Sequence, residues 1–505
     1  MTIQNTIASP SRRRFLRAAT IGTTGLVLAE KILANPFIHI PRLPLLTKSI
    51  RIQGVVKMTG KGLNNVAVSD GLTTAWTKPD GTFELLSNLN QPYVFISIPS
   101  ECELPLSPTG AVEFYKPIQF AEKDEVPVEW DLKPVAVSTS KHSFLALADP
   151  QIRDAEDAMR MMNETVPDIQ SLVRANQGVP FFSVALGDIM YDDLGMFPEY
   201  DRATKTMGIP SFQVPGNHDS DQSSPTDDNS LRTFAQRFGP TYYSFNRGEI
   251  HYVVLDDVFW YGKGYLGYLT QTQLDWLRSD LARIESGRTI VMFGHIPPFN
   301  NQHLRIGKKF PSIAETVTNR DELYEILRPY KAYYITGHMH ESELLTDGGI
   351  PIHICGAVCG AWWTADVCFD GTPNGYSVYE VKGSDLRWQY KSTGKPFEHQ
   401  MRLYRAGADL KAKNEFIANI WFADEKWTVL WYEDGIRKGK MKRRMGMDPL
   451  AKKLFDGDKL PKKHTWVDAV NTEHMYYAPF NPKAKSIIVE ATDEWGRVYK
   501  EAPTL

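Results

Sequence analysis

Carboxylate, amide and imidazole side chains repeatedly follow short apolar segments in this sequence. The densest block is Gly216-Asn217-His218-Asp219, which comes directly after Val214 and Pro215. Four further blocks are Asp149-Pro150-Gln151, Gly187-Asp188, Gly294-His295 and Gly337-His338-Met339-His340. Taken alone, Asn217 and Asp219 are typical of a turn in which they bind local backbone groups. Taken together, converging acidic, amide and histidine groups are ligands for divalent metals.

The segments before these blocks predict the elements that position them. Short apolar runs at residues 144–148, 181–186, 289–293 and 332–336 predict buried strands. Helical patterns at 155–175, 230–238, 270–284 and 321–327 alternate with them, which predicts parallel sheets with the blocks at one sheet edge. Pro167 is expected to break the first helix, and Thr270 with Gln273 predicts a capping box. Residues 242–245 and 252–255 predict a strand pair turning near Gly248.

The five blocks resemble the signature of the calcineurin-like metallophosphoesterase superfamily, which runs D-x-H, G-D, G-N-H-D/E, G-H and G-H-x-H. The resemblance implies an α/β/β/α sandwich core and two divalent metal ions. It assigns Asp149, Gln151, Asp188 and His340 to the first metal, and Asp188, Asn217, His295 and His338 to the second, with Asp188 bridging. On a regular strand His338 and His340 would point to opposite faces, so the Gly337 turn must bend the backbone.

Gln151 departs from the resemblance, because the signature has His at this place. A glutamine offers only a neutral carbonyl oxygen, or leaves a water in its place. We therefore expect weaker binding of the first metal and a preference for Mn, Mg or Fe over tightly held Zn. The alternative is that Gln151 only orients the attacking hydroxide.

His218 is not a ligand in this scheme. It is expected to stabilise developing charge or to protonate the leaving oxygen. Asp219, next to it in the chain, is expected to fix the tautomer of His218 and keep it cationic.

Other side chains have weaker signals. Tyr191-Asp192-Asp193 could line the pocket or form a solvated loop, and Trp362-Trp363 could stack on a substrate ring or pack in the core. Asn300, Asn301 and His303 lie on a loop that could touch substrate. Hydrogen-bonded core positions are expected for four histidines, namely His142, His251, His303 and His353.

Regions on both sides of the 140–395 core predict additional domains. Residues 48–135 contain short strands and D-G turns, which predict a β-sandwich resembling transthyretin-like modules. Residues 397–505 predict a second β-sandwich, with strands at 416–421 and 427–431 joined by a short turn and a closing hairpin at Gly496. The basic run at 437–444 is expected to be a solvated loop, or else a surface for anionic polymers.

The amino terminus predicts export. Ser11-Arg12-Arg13-Arg14-Phe15-Leu16-Arg17 before an apolar stretch resembles a twin-arginine signal over residues 1–34, which predicts the periplasm or cell envelope. The net charge of −3 argues against a dedicated nucleic-acid binder, and no apolar run is long enough to span a membrane. The four cysteines are expected either to pair or to be buried free thiols.

These observations predict an exported enzyme that hydrolyses a phosphate ester or anhydride by attack of a metal-bridging hydroxide. Its partner would be a phosphorylated small molecule or an envelope component, and the oligomeric state stays open. A phosphomonoesterase of this superfamily often brings arginine or additional histidine side chains onto the phosphate. No arginine stands directly beside a metal block in this sequence, which slightly favours a diester or a small phosphorylated metabolite as the substrate. A protein serine/threonine phosphatase stays an alternative, because the Asp-Pro-Gln block resembles that subset. An envelope-binding protein with a vestigial metal site is the alternative from another class.

Overall fold

The strands fall into three successive groups along the chain. The structure, a computed structural model, describes residues 49–502 apart from residues 89, 119–124 and 462. The twin-arginine segment therefore lies outside the described residues. Among the helices of the described part, none is long and apolar enough to cross a membrane.

The first group is a β-sandwich. One sheet has the order β2-β1-β5 with β8 parallel to β1, and the other has the order β4-β3-β6-β7. Buried and exposed residues alternate along β8, so one face packs in the core and the other meets solvent. The strands are β1 Ser49–Met58, β2 Lys61–Gly62, β3 Ala67–Ser69, β4 Thr74–Trp76, β5 Thr82–Asn88, β6 Tyr93–Ile96, β7 Tyr115–Pro117 and β8 Glu125–Leu132.

The second group forms two sheets that face each other. The strands of the first sheet, in the order β11-β10-β9-β20-β21, are β9 Lys141–Leu147, β10 Phe181–Leu186, β11 Ser211–Val214, β20 Gly375–Lys382 and β21 Asp385–Ser392. The strands of the second sheet, in the order β12-β13-β16-β17-β19-β18, are β12 Tyr243–Arg247, β13 Ile250–Val254, β16 Thr289–Phe293, β17 Lys331–Thr336, β18 Glu343–Asp347 and β19 Ile350–Ile354. A separate two-stranded ribbon consists of β14 Val258–Trp260 and β15 Tyr265–Gly267. Strands β9, β10 and β11 are mutually parallel, as are β13, β16, β17 and β19.

Aromatic side chains fill the space between these two sheets. Phe182 of the first sheet lies 5.5 Å from Phe245 and 5.3 Å from Tyr252 of the second, measured between ring centroids. Phe212 stacks on Phe245 at 3.8 Å. Removing this apolar surface from water stabilises the pairing of the sheets and holds the strand ends in register.

Helices cover the outer faces, which gives the predicted α/β/β/α order. The helices of this core are α1 Ala155–Arg160, α2 Val166–Ala175, α3 Phe197–Met207, α4 Arg232–Phe238, α5 Gln271–Leu281, α6 Gln302–Arg305 and α7 Arg320–Leu327, and α8 Pro449–Phe455 belongs to the third group. Ile169 of α2 packs in one cluster with Leu145 and Ala185 of the first sheet. Trp276 of α5 and Leu323 of α7 pack with the second sheet.

Two helix predictions need correction. Pro167 does not break the first helix, because a single π turn at Met161–Thr165 joins α1 to α2 and Pro167 falls in the first turn of α2, where its missing N–H is tolerated. Thr270 caps α5 by accepting from the Gln273 backbone N–H. The Gln273 side chain does not complete the capping box, because it bonds both backbone groups of Asp256 instead.

The third group is a second β-sandwich, with sheet orders β22-β23-β27-β26 and β25-β24-β28-β29. Its strands are β22 Met401–Tyr404, β23 Glu415–Ile420, β24 Thr428–Glu433, β25 Ile436–Lys440, β26 Lys442–Met447, β27 Asn471–Pro479, β28 Ile487–Thr492 and β29 Val498–Glu501. The consecutive strands β23 and β24 lie in different sheets, because β23 pairs with β22 and β27 whereas β24 pairs with β25 and β28. The basic run forms strands β25 and β26 rather than a loop, so that expectation was wrong. All four cysteines are buried free thiols.

Candidate metal centre

Five parallel strands end at one rim of the two facing sheets, and each is followed by one of the polar blocks. The first sheet contributes Asp149 and Gln151 after β9, Asp188 after β10, and Asn217 after β11. The second sheet contributes His295 after β16, and His338 with His340 after β17. Because parallel strands share one carboxyl edge, residues distant in sequence meet there.

Left-handed backbone turns aim these side chains inward. Asp149, Gln151 and Asp188 have φ values of 48°, 41° and 47°. His338 and His340 have φ values of 69° and 50°, which is how two histidines in an i, i+2 pair both reach the cluster. Such conformations cost on the order of 1 kcal/mol or more in non-glycine residues and concentrate at functional sites.

Glycines allow the blocks to approach one another closely. A Cβ atom on Gly187 would lie 2.5 Å from Nδ1 of His295, and one on Gly337 would lie 2.5 Å from Oδ2 of Asp149. Both glycines are therefore required by the packing of the ligand-bearing loops, and Gly187 also has a φ of 81°.

One half of the cluster surrounds Nε2 of His295. This atom lies 3.3 Å from Oδ1 of Asp188, 3.1 Å from Oδ1 of Asn217 and 3.1 Å from Nδ1 of His338. Ligand atoms of Asp188, His295 and His338 all lie within 4.8 Å of one another. Two imidazoles, one amide oxygen and one carboxylate form a donor set suited to a borderline divalent ion.

The other half surrounds Nε2 of His340. It lies 3.5 Å from Oδ1 of Asp149 and 3.2 Å from Nε2 of Gln151. The Gln151 amide also donates to Oδ2 of Asp188 at 2.8 Å. Asp188 thus presents one oxygen to each half, which is the position required of a bridging ligand.

Backbone carbonyls orient all three imidazoles. Nδ1 of His295 donates to Leu186 O, and Nδ1 of His340 donates to Gly360 O, at 2.8 and 2.5 Å. His338 is turned the other way, with Nε2 donating to Ala314 O at 2.9 Å. In neutral His338 and His340 the remaining nitrogen faces the cluster with a free lone pair, as a ligand requires. Burial acts to lower the pKa of His295, but Asp188 raises it to about 10, so this ring must release its second proton to bind a cation.

The electrostatics of the cluster fit a cation. Burial, with the nearby Asp188 charge, raises the pKa of Asp149 to about 8, and its Oδ1 atom is buried without a hydrogen-bond partner among the described residues. A bound cation would hold both carboxylates ionised at neutral pH. Burial lowers the pKa of His338 to about 3 and that of His340 to about 4, so both are neutral and available as ligands.

His218 stands beside this cluster, and its partner is Asp192 rather than Asp219. Nδ1 of His218 lies 2.7 Å from Oδ1 of Asp192. Burial acts to lower the pKa of His218, but Asp188 and Asp192 together raise it to about 9, so the ring is an imidazolium at neutral pH. Its own backbone N–H donates to Oδ1 of Asp188 at 2.8 Å.

Asp219 has a structural role, which corrects the expectation from its position next to His218. Its carboxylate is fully buried and accepts the backbone N–H groups of Ile189, Met190 and Gly216 at 3.1, 2.9 and 2.9 Å. These bonds tie the loop that carries Asp188 to the loop that carries Asn217. Asp219 therefore holds two ligand-bearing loops together, and the described residues show no hydrogen bond between it and the His218 ring.

Several weaker predictions are settled by contacts. Trp362 packs against the His340 ring at 4.5 Å, whereas Trp363 is buried and donates to Pro150 O. Asn300 is buried and donates to Glu315 O, so it supports the loop instead of facing a substrate. Asn301 begins α6 and His303 is buried on it, next to Phe299. All four expected core histidines are buried and hydrogen-bonded through their rings, namely His142, His251, His303 and His353.

Sequence reasoning missed side chains that the fold brings to the rim. Arg153 lies over the Tyr191 ring at 5.5 Å, and Tyr191 in turn stacks on His218 at 4.6 Å. Arg153 is only two residues beyond Gln151, and this closeness to a metal block could have indicated that Arg153 lies at the rim. His464 also lies at the rim, 5.4 Å from Tyr191, and no local pattern around it indicated this.

Models of protein families match nearly the whole described chain. The model described as Calcineurin-like phosphoesterase matches residues 142–342. Models described as the N terminal and the C terminal of Calcineurin-like phosphoesterase match residues 50–134 and 352–499.

Curated relatives match part of the chain. Purple acid phosphatase 23 of Arabidopsis thaliana is 26% identical over 189 residues, which are 33% of this chain and 37% of that protein. Serine/threonine-protein phosphatase CPPED1 of Mus musculus is 29% identical over 203 residues, which are 38% of this chain and 60% of that protein. The chain thus spans less than two thirds of the length of either relative. A solved dimetal phosphatase from Danio rerio aligns with 50% of this chain and 96% of that chain, at 16% identity and a TM-score of 0.35.

Proposed function

Because this chain belongs to the calcineurin-like phosphoesterase family, we propose that it is a metal-dependent hydrolase of phosphate esters or anhydrides. The observation that carries the proposal is the convergence of Asp188 on both halves of the ligand cluster. Its Oδ1 lies 3.3 Å from Nε2 of His295, and its Oδ2 accepts from Gln151 beside His340.

The chain's residues divide naturally between two ions. Asp188, Asn217, His295 and His338 would hold one, and Asp149, Asp188, Gln151 and His340 would hold the other. Two divalent ions so held would activate a water nucleophile and offset charge on the phosphoryl group. Their identity among Mn, Fe, Zn and Mg is a matter for measurement.

His218 supplies the proton that a poor leaving group needs. Asp192 holds Nδ1 of the ring, which leaves Nε2 as the atom that can donate to a leaving oxygen. The Asp192 carboxylate against Nδ1 favours the protonated form of the ring. A binding protein with a vestigial site has no use for a charged, oriented acid beside its ligands, and this favours the enzyme over that alternative.

Two finer points belong to the proposal. The similarity to a protein named serine/threonine-protein phosphatase, together with Gln151 in the first block, keeps a serine/threonine-type phosphomonoesterase as the second candidate. Export through the twin-arginine pathway rests on residues 11–17 alone.

A substrate panel tests the function. The purified chain, stripped by chelation and reloaded with Mn²⁺, Fe²⁺, Zn²⁺ or Mg²⁺, is assayed on a phosphomonoester, a phosphodiester, a nucleotide anhydride and a phosphoserine peptide. We expect hydrolysis of at least one class that disappears on chelation and returns with metal. A protein that binds two ions per chain and hydrolyses none of the four classes would contradict the proposal.

A further inference from the structure

A continuous row of rings runs along the rim from His218 to the ligand His340. Tyr191 stacks on His218, with centroids 4.6 Å apart and planes 18° from parallel. At the other end, Trp362 lies against His340 at 4.5 Å and 33°. The two inner rings of the row, Tyr191 and Trp362, lie 6.4 Å apart between their centroids.

The C-terminal unit completes this row. His464 lies 5.4 Å from Tyr191 and 6.2 Å from Trp362, and Trp466 lies 4.4 Å from Trp362. We call Tyr191, Trp362, His464 and Trp466 the aromatic belt. The catalytic domain contributes two of its members and the segment after α8 contributes the other two.

The segment that carries His464 and Trp466 is held firmly to the catalytic domain. Nζ of Lys463 lies 2.5 Å from Oδ1 of Asp157 and 3.1 Å from Oδ2 of Asp154. Lys463 O accepts from the Thr364 hydroxyl at 3.1 Å. Beneath the segment, one apolar cluster joins both units through Ala361, Val367, Phe369, Ala451, Phe455 and Val467. The belt is therefore built in place before any ligand arrives.

The belt differs from ordinary core packing in three ways. Tyr191, Trp362 and Trp466 all retain solvent exposure, although each is large and aromatic. His464 is held at a φ of 54°, a left-handed conformation that is unfavourable for histidine. In addition, Nε1 of Trp362 is buried and has no hydrogen-bond partner in the part of the chain that the structure describes.

The four belt side chains are themselves uncharged, although the Arg153 guanidinium lies over the Tyr191 ring at 5.5 Å. Burial, and then the charges of Arg153 and Lys463, lower the pKa of His464 to about 4, so this ring is neutral at physiological pH. Lys463 is paired with Asp154 and Asp157, and Arg160 is paired with Glu164 and Asp366. Aromatic faces beside one guanidinium suit a planar ring, which can stack on the aromatic side chains and on Arg153.

We propose that the aromatic belt is the leaving-group subsite of the metal centre and selects phosphate esters whose leaving group carries a planar ring. The proposal rests on the proposed function, because it places the phosphoryl group at the metal ligands. His218 then lies between the phosphoryl group and the belt, where a leaving oxygen needs its proton. The C-terminal unit thereby becomes part of the active site and a determinant of specificity.

Binding of phosphonates tests the subsite apart from catalysis. The probes are 2-phenylethylphosphonate and 2-cyclohexylethylphosphonate, which share the phosphonate group and the two-carbon chain and carry rings of the same carbon number, of which only the phenyl ring is planar. Titration calorimetry on the metal-loaded full chain should show the phenyl probe binding at least about fivefold tighter. In Trp466→Ala and Trp362→Ala the ratio of the two dissociation constants should fall towards one.

The control is Trp427→Ala. Trp427 packs on Tyr499 in the C-terminal sandwich, so its loss removes a tryptophan of the same unit without touching the belt. This control should keep the wild-type ratio. Equal affinity of the wild-type chain for both probes, or an unchanged ratio in both belt variants, would overturn the proposal. Hydrolysis of 2-phenylethyl phosphate and n-butyl phosphate is measured on the same protein samples. Ring-selective binding without hydrolysis of any ester would refute the proposed function but not the subsite.

Discussion

Nδ1 of His218 lies 2.7 Å from Oδ1 of Asp192, a residue 26 positions earlier in the chain and on a different loop. The partner of the His218 ring is therefore not Asp219, which follows His218 in the sequence. Asp192 reaches this place because it has a left-handed φ of 65° on the loop after β10. His218, the acid of the site, and Asp192, the carboxylate that orients it, therefore lie on the loops that follow two strands of the same sheet, β11 and β10. This pairing gives the two carboxylates, Asp192 and Asp219, separable roles.

Asp192→Asn should keep the metals and lower turnover, on the order of tenfold or more. Asn can still accept the Nδ1 hydrogen bond but loses the charge that helps raise the pKa of His218 to about 9. The cationic ring is present below its pKa and lost as pH rises through it, so the basic limb of the pH–rate profile should move to lower pH. The loss should be larger for alkyl esters than for p-nitrophenyl esters. A profile identical to wild type would show that Asp192 does not act on His218.

Asp219→Asn should instead damage the structure of the centre. In the wild-type protein both oxygens of the Asp219 carboxylate accept backbone N–H groups. In the variant an amide NH2 replaces one of these oxygens and cannot accept, so at least one of the bonds from Ile189, Met190 and Gly216 is lost. We expect a lower melting temperature and reduced metal content, measured by calorimetry and elemental analysis. Full metal content and wild-type stability, with only turnover reduced, would restore a direct catalytic role for Asp219.

Gln151→His should strengthen the half of the centre around His340. Gln151 occupies a ligand position there, with Nε2 3.2 Å from His340 and a buried Oε1 atom that has no partner among the described residues. The native protein should lose one ion readily on dialysis, and the histidine variant should retain both, because imidazole is the better donor. Gln151→Leu serves as the control that removes the amide without adding a ligand. Two equally tight sites in the native protein, unchanged by Gln151→His, would rule out the asymmetry.

His142 should make the fold sensitive to acid. It is buried between Thr139 O and the Tyr252 hydroxyl, and burial lowers its pKa to about 4. An unfolded chain takes up this proton near pH 6.5, so the free energy of unfolding falls as pH drops from about 6.5 to 4. His142→Asn removes this contribution, and the slope of stability against pH should decrease by up to about 1.4 kcal/mol per pH unit. Denaturant unfolding at several pH values measures both slopes, and equal slopes would contradict the assignment.

The ligand blocks were predictable because each is a local feature. A buried strand followed by a polar residue is visible in the sequence at Asp188 or His295, and parallel strands bring such ends to one edge. The division of β23 and β24 between two sheets was not predictable, since one partner of each strand comes from the distant residues 471–492. The Asp192–His218 contact and the placement of His464 depend on loop conformations and on packing between units. Neither leaves a periodic pattern in the sequence.

The central claim is that Asp188 joins two metal ions into one hydrolytic centre. Elemental analysis and ester hydrolysis on wild type and Asp188→Asn test it most directly, with Asp193→Asn as a matched control, because Asp193 only caps the short turn that begins at Leu194. With the metal kept in the buffer, we predict two ions per wild-type and control chain, most of the metal lost from Asp188→Asn, and hydrolysis in that variant reduced to background. Near-normal metal content together with near-normal turnover in Asp188→Asn would contradict the account.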